Sequence, residues 1–358
     1  MPDDQEPMLP KDESSNFKLK HWKWLVLVAL QVILLLVGQA SGIILARFYY
    51  AQGGKSKWLI ALSQTAGFPL LFIPLFLLPS SKNPSSSPSA KVLAPVYFVL
   101  GMLLAGETIF FSFGLSYLSA STYSLLCATQ LVFVAIFSYF INSQKITILI
   151  LNSVVVLSLS AALIAVNDDS KGPTGVSNSK YIIGFICTLI GSSIASLLFS
   201  VTQLSFHRIL PKETFSVVLE LQIYIQLVAV CAPLTGLFVS GEWRVLYEDM
   251  EGFGKGRFGY VMTLFWGALA WQGWSFCSSG LIFLVSSLFA CAIGNLALAV
   301  APIACVIVFH DNMNGVKIIS MLMAIWGLSS YTYQNYLDDS EARRTDTCIT
   351  ESQNDSFI

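Results

Sequence analysis

The stretch from Val92 to Leu118 reads VLAPVYFVLGMLLAGETIFFSFGLSYL, with one carboxylate, Glu107, and no basic residue. About 20 apolar residues cross a bilayer, so Glu107 lies well inside both ends of a predicted span. A carboxylate at that depth costs at least a few kcal/mol and marks a pathway when it faces a cavity or a partner. Low polarity disfavours its charged form, so such a group can take up and release a proton. The competing reading is a structural Glu hydrogen-bonded to a neighbouring helix. Around it stands a set of amides, hydroxyls, aromatics and acids at membrane depth: Gln64, Tyr123, Gln130, Gln203, Glu220, Gln272 and Asn295. Glu220 lies only about two turns into its span, where an interfacial or salt-bridged role is equally open. A Gln or Asn offers a donor and an acceptor side by side and can pair with the edge of a planar heterocycle. Trp271, Trp274 and Tyr123 offer faces on which such a ring can stack. Taken singly, any of these amides can instead be glue between helices, and any of the rings simple packing. No Lys or Arg falls mid-span, which argues against nucleotide-sugar or phosphate cargo, since an anion would call for buried cations.

These residues need helices to position them, and composition supplies the medium. Of 358 residues, 55% are hydrophobic and 11% charged, with mean hydropathy +0.68; soluble domains average about 25% charged. The chain reads as an all-α integral membrane protein with ten transmembrane helices. They are expected near 22–46, 58–78, 92–118, 122–142, 146–166, 181–206, 214–240, 260–284, 287–309 and 316–336. The first follows a basic segment, as a signal peptide would, but is too long for one and has no convincing cleavage site. Residues 1–21 and 337–358 read as disordered cytosolic tails, 22–166 and 181–336 as five-helix units, and 167–180 as the central loop between them. Gln64-Thr-Ala-Gly-Phe-Pro69 is the expected site of a kink, either lining a cavity or serving packing. Lys18, Lys20 and Lys23 beside the first span place the N-terminus inside.

An odd number of spans per half inserts the second half upside down, giving two inverted five-helix repeats. Gly114-Leu115-x-x-Leu118-x-x-Ser121 recurs as Gly280-Leu281-x-x-Leu284-x-x-Ser287, an offset of 166 residues. At that offset Glu107 corresponds to Gly273, inside Trp271-Gln272-Gly273-Trp274, so the pseudo-twofold brings a carboxylate and an aromatic–amide cluster to one midplane region.

Other classes find no footing. HExxH, GxSxG, P-loop and GxGxxG patterns are absent, and His21, His207 and His310 fall at span ends. Six of the seven cysteines lie in apolar runs and Cys348 in the polar tail, with no metal or redox spacing. A net charge of −1 and no basic tract give nucleic acid no support as a partner.

With these residues in place, the chain resembles the plant purine permease family of the drug/metabolite transporter superfamily, from about Trp24 to Asp339. In the first half the likeness is carried by Arg47-Phe-Tyr-Tyr-x-x-Gly-Gly-x-Ser-Lys-Trp58, Gln64-Thr-x-Gly-Phe-Pro69, Tyr117-Leu-Ser-Ala-Ser-Thr-Tyr-Ser124, Cys127-Ala-Thr-Gln130 and Ile141-Asn-Ser-Gln-Lys145. In the second it is carried by Leu219-Glu-Leu-Gln-Ile-Tyr224, Ser240-Gly-Glu-Trp243, Leu281-Ile-Phe-Leu-Val-Ser-Ser-Leu288 and Tyr333-Gln-Asn-Tyr-Leu-Asp-Asp339. The resemblance implies ten helices in two inverted repeats. It also implies proton-coupled uptake of adenine-like bases and related compounds, including cytokinins and some alkaloids or vitamins. Two positions depart from the family pattern: Glu107-Thr108 replaces Asp-Asn, and His207 stands where an acid is usual. The resulting expectation is a multi-pass protein, most naturally of the plasma membrane, importing purine-like molecules with protons and needing no cofactor. Glu107 is the expected proton acceptor and substrate anchor, with amide contacts from Gln64, Gln130 and Gln272, stacking from Trp271, Trp274 and Tyr123, and Gln203, Glu220 and Asn295 as secondary positions. Export or import of other planar metabolites, and a non-transporting receptor or scaffold, are the alternatives.

Overall fold

A computed structural model describes residues 11–77, 90–127, 129–143, 147–166, 177–210 and 216–295, with shorter stretches between 315 and 337. Among these residues every regular element is helical. They are α1 (Lys11–Ala51), α2 (Lys57–Thr65), α3 (Phe72–Leu77), α4 (Ala90–Tyr117), α5 (Ala120–Cys127), α6 (Gln130–Asn142) and α7 (Ile148–Val166). Then come α8 (Asn178–Arg208), α9 (Ser216–Ala229), α10 (Cys231–Val239), α11 (Leu246–Glu251) and α12 (Gly256–Leu284). Five stretches among the described residues are long and apolar enough to cross a membrane: Trp22–Ala51, Lys57–Phe76, Lys91–Tyr117, Asn178–Arg208 and Ser216–Val239. Residues 296–309 of the ninth expected span, about a third of the tenth and residues 167–176 of the central loop lie outside the described residues.

Several expected spans prove to be broken helices. The second breaks at the anticipated place: α2 ends at Thr65, a single 3-10 turn covers Phe68–Leu71, and α3 resumes at Phe72. Pro69 has no N–H to offer the carbonyl four residues back, which is why the helix cannot run through. The seventh divides at Val230, between α9 and α10, where Pro233 likewise leaves the Ala229 carbonyl without its donor. The fourth divides between Cys127 and Gln130; the backbone N–H and hydroxyl of Thr129 both bond the Leu126 carbonyl, at 3.0 and 2.7 Å. No Pro or Gly marks that break. At the N-terminus, α1 reaches back to Lys11, beyond the Trp22 start expected for the span.

Polarity is distributed as a bilayer demands. Exposed surface on the long helices is apolar, as with Ile33 and Val37 on α1, Phe98 and Val99 on α4, and Ile182 and Ile186 on α8. The buried faces carry hydroxyls and amides. On α8, Thr188, Ser192, Ser196 and Ser200 form one buried stripe at four-residue spacing. Thr188 and Ser196 turn their hydroxyls back to carbonyls four residues earlier, so part of the polar stripe is satisfied within its own helix. Small residues let helices approach closely where there is no water to drive them together.

Two seams result. α1 lies along α12 and α4 along α8, while α2 rests on α12 and α9 on α4. The glycines of the repeated motif occupy matching places: a Cβ on Gly114 would meet the Thr188 hydroxyl on α8, and one on Gly280 the Gln31 amide on α1. Gly38 is the tightest point against backbone, since a Cβ there would stand 2.8 Å from the Ala270 carbonyl oxygen and 3.0 Å from the Trp274 nitrogen.

One end of the bundle is fastened by polar contacts. Gly254 N–H donates to the Gln52 carbonyl (3.0 Å) and the Ser56 hydroxyl to Glu242 (2.6 Å), while Lys55 pairs with the buried Asp249 (3.6 Å). Lys57 Nζ donates to the Tyr117 hydroxyl at 2.5 Å and lies 4.2 Å from the centre of that ring.

Gly38→Ala is expected to lower thermal stability in detergent, because backbone on the facing helix cannot yield and overpacking of this kind costs about 1–3 kcal/mol. Gly273→Ala, whose Cβ meets open space, should leave the melting temperature unchanged or raise it slightly. Equal melting of both variants would contradict this account of the seam.

Candidate substrate and proton site

Glu107 sits on α4 with 4% of its surface exposed, and its Oε2 has no hydrogen-bond partner. The reading as a Glu tied to a neighbouring helix finds no support at that oxygen. Tyr123 and Cys127 of α5, one turn apart, lie within electrostatic reach of the carboxyl group. Phe111, one turn further along α4, meets the Tyr123 ring edge-on at 5.9 Å.

A relay of amides and hydroxyls leads away from this point. The Gln272 amide on α12 donates to the Gln64 carbonyl at 3.2 Å, supplying a donor where α2 stops. Gly67 makes room for it, since a Cβ there would come within 2.6 Å of the Gln272 side chain. Gln64 in turn donates to the Ser112 hydroxyl at 3.2 Å, and Ser112 donates to the Thr108 carbonyl at 2.7 Å, beside Glu107 in the chain. The Tyr50 hydroxyl reaches the Ser112 carbonyl at 3.4 Å. Four elements, α1, α2, α4 and α12, are thereby joined; Gln64 and Gln272 are expected to share a site, whereas Tyr50 and Ser112 are not among the expected site residues. Gln272 Oε1 is buried and unpartnered, so it keeps an acceptor in hand.

The tryptophans occupy the α1–α12 seam. Trp271 and Trp274 meet edge-to-face at 5.5 Å; Trp271 lies over Gly42, and Trp274 Nε1 donates to Gln39 Oε1 at 3.2 Å. Gln130 begins α6, buried, with its carbonyl accepting from Ser196 of α8 at 2.8 Å. The secondary positions are placed differently. Gln203 Oε1 accepts from the Ser287 N–H (3.1 Å), from the Ser287 hydroxyl, and from Asn142 (3.4 Å), which fastens the start of helix 287–295. Asn295 turns back to Cys291 on its own helix. Glu220 is exposed on α9, near the stacked pair Tyr97 and Tyr224.

A second polar cluster was not picked out from the sequence. Gln222 on α9 donates to the Ser275 carbonyl (3.1 Å) and the Ser279 hydroxyl, and accepts from the Ser275 hydroxyl (2.9 Å) and Gln226 Nε2 (3.2 Å). The signal was available. Gln222 and Gln226 are four apart on one helix, as are Ser275 and Ser279 on another, so each pair shares a face. Beside this cluster lies a cavity lined by Leu104, Phe199, Gln222, Trp274, Ser278 and their neighbours. Its volume is about 20 Å³, counted as space open to a water centre.

A family model described as purine nucleobase transmembrane transport matches residues 26–341, nearly the whole chain. The chain belongs to the purine permease family. This purine permease is 57% identical over 349 residues to the probable purine permease 11 of Arabidopsis thaliana, covering 95% of this chain and 92% of that one. It is 49% identical to the probable purine permease 13 of the same plant (96% and 98% covered) and 44% identical to its purine permease 21 (95% and 89%). A solved crystal structure superposes with a TM-score of 0.52 at 13% identity, covering 84% of this chain and 97% of the other, a likeness of fold alone. As a purine permease it is a multi-pass membrane transporter and not an enzyme.

Replacing Gln272 with Leu should destabilise the permease by about 1–3 kcal/mol, the cost of leaving a buried carbonyl at the α2 break without a donor. A lowered melting temperature in detergent is the expected readout, with Gln130→Leu, whose carbonyl contact to Ser196 is unaffected, falling less.

Proposed function

We propose that this permease imports purine nucleobases and related heterocycles, adenine-like and cytokinin-like, by proton-coupled alternating access at the plasma membrane. Family membership supports the purine part of this reading, and the observation that carries the proton part is Glu107. It is buried on a spanning helix, holds a free oxygen, and has no Lys or Arg among its described hydrogen-bonding or ionic neighbours. A carboxyl group so placed is a proton carrier that a neutral substrate can accompany.

Ten helices in two inverted repeats are the architecture that goes with it. Exchange the first span for the sixth, the second for the seventh and the third for the eighth. The pairing of α1 with α12 then becomes that of α8 with α4, and α2 on α12 becomes α9 on α4. That exchange supports a pseudo-twofold relation, and in repeat-built transporters the cargo lies at the repeat interface. Gln64, Gln130 and Gln272 serve as amide contacts around it, with Tyr123, Trp271 and Trp274 as ring faces.

The test is uptake of radiolabelled adenine by yeast lacking its own purine transporter, at acid and neutral external pH, with and without a protonophore. Uptake should be larger at acid pH and lost with the protonophore. Glu107→Gln keeps the shape and removes the titrating group; accumulation should fall to the equilibrium level and become insensitive to pH, while Glu107→Asp retains part of it. Normal acid-driven accumulation by Glu107→Gln, at equal surface abundance, would refute the proton role.

A further inference from the structure

The cavity beside Gln222 differs in kind from the surroundings of Glu107. No Lys, Arg, Asp or Glu lines it among the described residues, so it suits an uncharged ligand. Two of its walls are aromatic: Phe199 on α8 and Trp274 on α12, with ring centroids 6.4 Å apart and planes inclined by 32°. Seating a flat ring between two others takes about 7 Å, two contacts of roughly 3.5 Å each. As it stands the cavity has room for about one water, so admitting a ring requires α8 and α12 to part and open that space as well as to bring the pair to the spacing of about 7 Å. Trp274 is the fixed jaw, held by Gln39 on one edge and Gly38 behind; Phe199 is the one to yield.

A third wall is polar and partly unspent. Gln222 is saturated by Ser275, Ser279 and Gln226 and therefore rigid. Ser278, 3% exposed and lining the cavity, has a hydroxyl without a partner. A buried hydroxyl left unsatisfied costs free energy that a ligand edge would recover, and as both donor and acceptor it matches the adjoining N and N–H of a purine.

We propose that Phe199 and Trp274 clamp the substrate ring while Ser278, braced by the Gln222 cluster, reads its edge. The seat lies one helical turn from the proton: Leu104, which lines it, precedes Glu107 by three residues on α4. Proton and cargo would then bind at adjoining but separate places on one helix. This inference rests on the transport reading above and moves the ring's seat away from Gln64, Gln130, Gln272, Tyr123 and Trp271, which do not line this cavity, keeping Trp274 as the one residue common to both.

The test uses the full chain in the same yeast, with radiolabelled adenine and surface abundance measured for each variant. Ser278→Ala removes only the unpartnered hydroxyl, so folding is spared; KM should rise about three- to tenfold, with the ratio of acid to neutral uptake unchanged. Phe199→Leu should raise KM about tenfold or more, and Phe199→Tyr, which keeps the ring face, should recover most of the loss. KM values within about twofold of wild type for both Ser278→Ala and Phe199→Leu would overturn the seat while leaving transport intact. Absence of uptake by the wild-type chain would overturn the transport reading, and the seat with it.

Discussion

A polar group at membrane depth has to find its partner inside the protein, and that requirement organises this permease. Where the second span breaks ahead of Pro69, α2 ends at Thr65 and the Gln272 amide arrives from α12 to donate to the Gln64 carbonyl in its last turn. Where Pro233 interrupts the seventh span, the α9 segment before it carries Gln222 and Gln226, which bond Ser275 and Ser279 on the same α12. Both proline-broken spans are thus stitched to one unbroken helix, α12, through amides. The glue reading and the binding reading of these residues are compatible: a network that holds helices together also fixes which polar atoms remain free.

Close packing and polarity are distributed along the same helices. α8 presents its hydroxyl stripe and α12 its serines toward the interior, while Ile, Val and Phe face outward. Small residues permit the approach, and the approach brings Trp271 and Trp274 against Gly42 and Gly38. A flat, neutral, hydrogen-bonding molecule is well matched to such an interior, which offers ring faces and hydroxyls but little charge beyond Glu107.

Much of this could be read from the sequence, for identifiable reasons. Glu107 stood out because a carboxylate in a long apolar run is costly, and Gln64-Thr-Ala-Gly-Phe-Pro69 because Pro removes a donor. Spans such as 92–118 were placed within a few residues, because a long hydrophobic run leaves little choice of boundary. The break between Cys127 and Gln130 was not legible: it involves no Pro or Gly, and the Thr129 hydroxyl bonding a carbonyl three residues earlier has no distinctive spacing. Gln203 was grouped with the interior amides because residue type cannot show that its oxygen caps Ser287. Gln222 was passed over for the converse reason. Its value comes from facing Ser275 and Ser279, and which helix faces which is a tertiary fact.

The seam at Gly38 and Gly42 bears on how the bundle can move. With backbone oxygen and an indole ring pressed against those two glycines, α1 has no clearance to slide or roll over α12, so the pair behaves as one stiff lever. Any rocking must then be absorbed where helices are already discontinuous, at residues 66–67 and at Val230. Those two joints belong to the second and seventh spans, which pack against each other through α2 and α10. A bend at one joint is therefore felt across the α2–α10 contact by the span that carries the other.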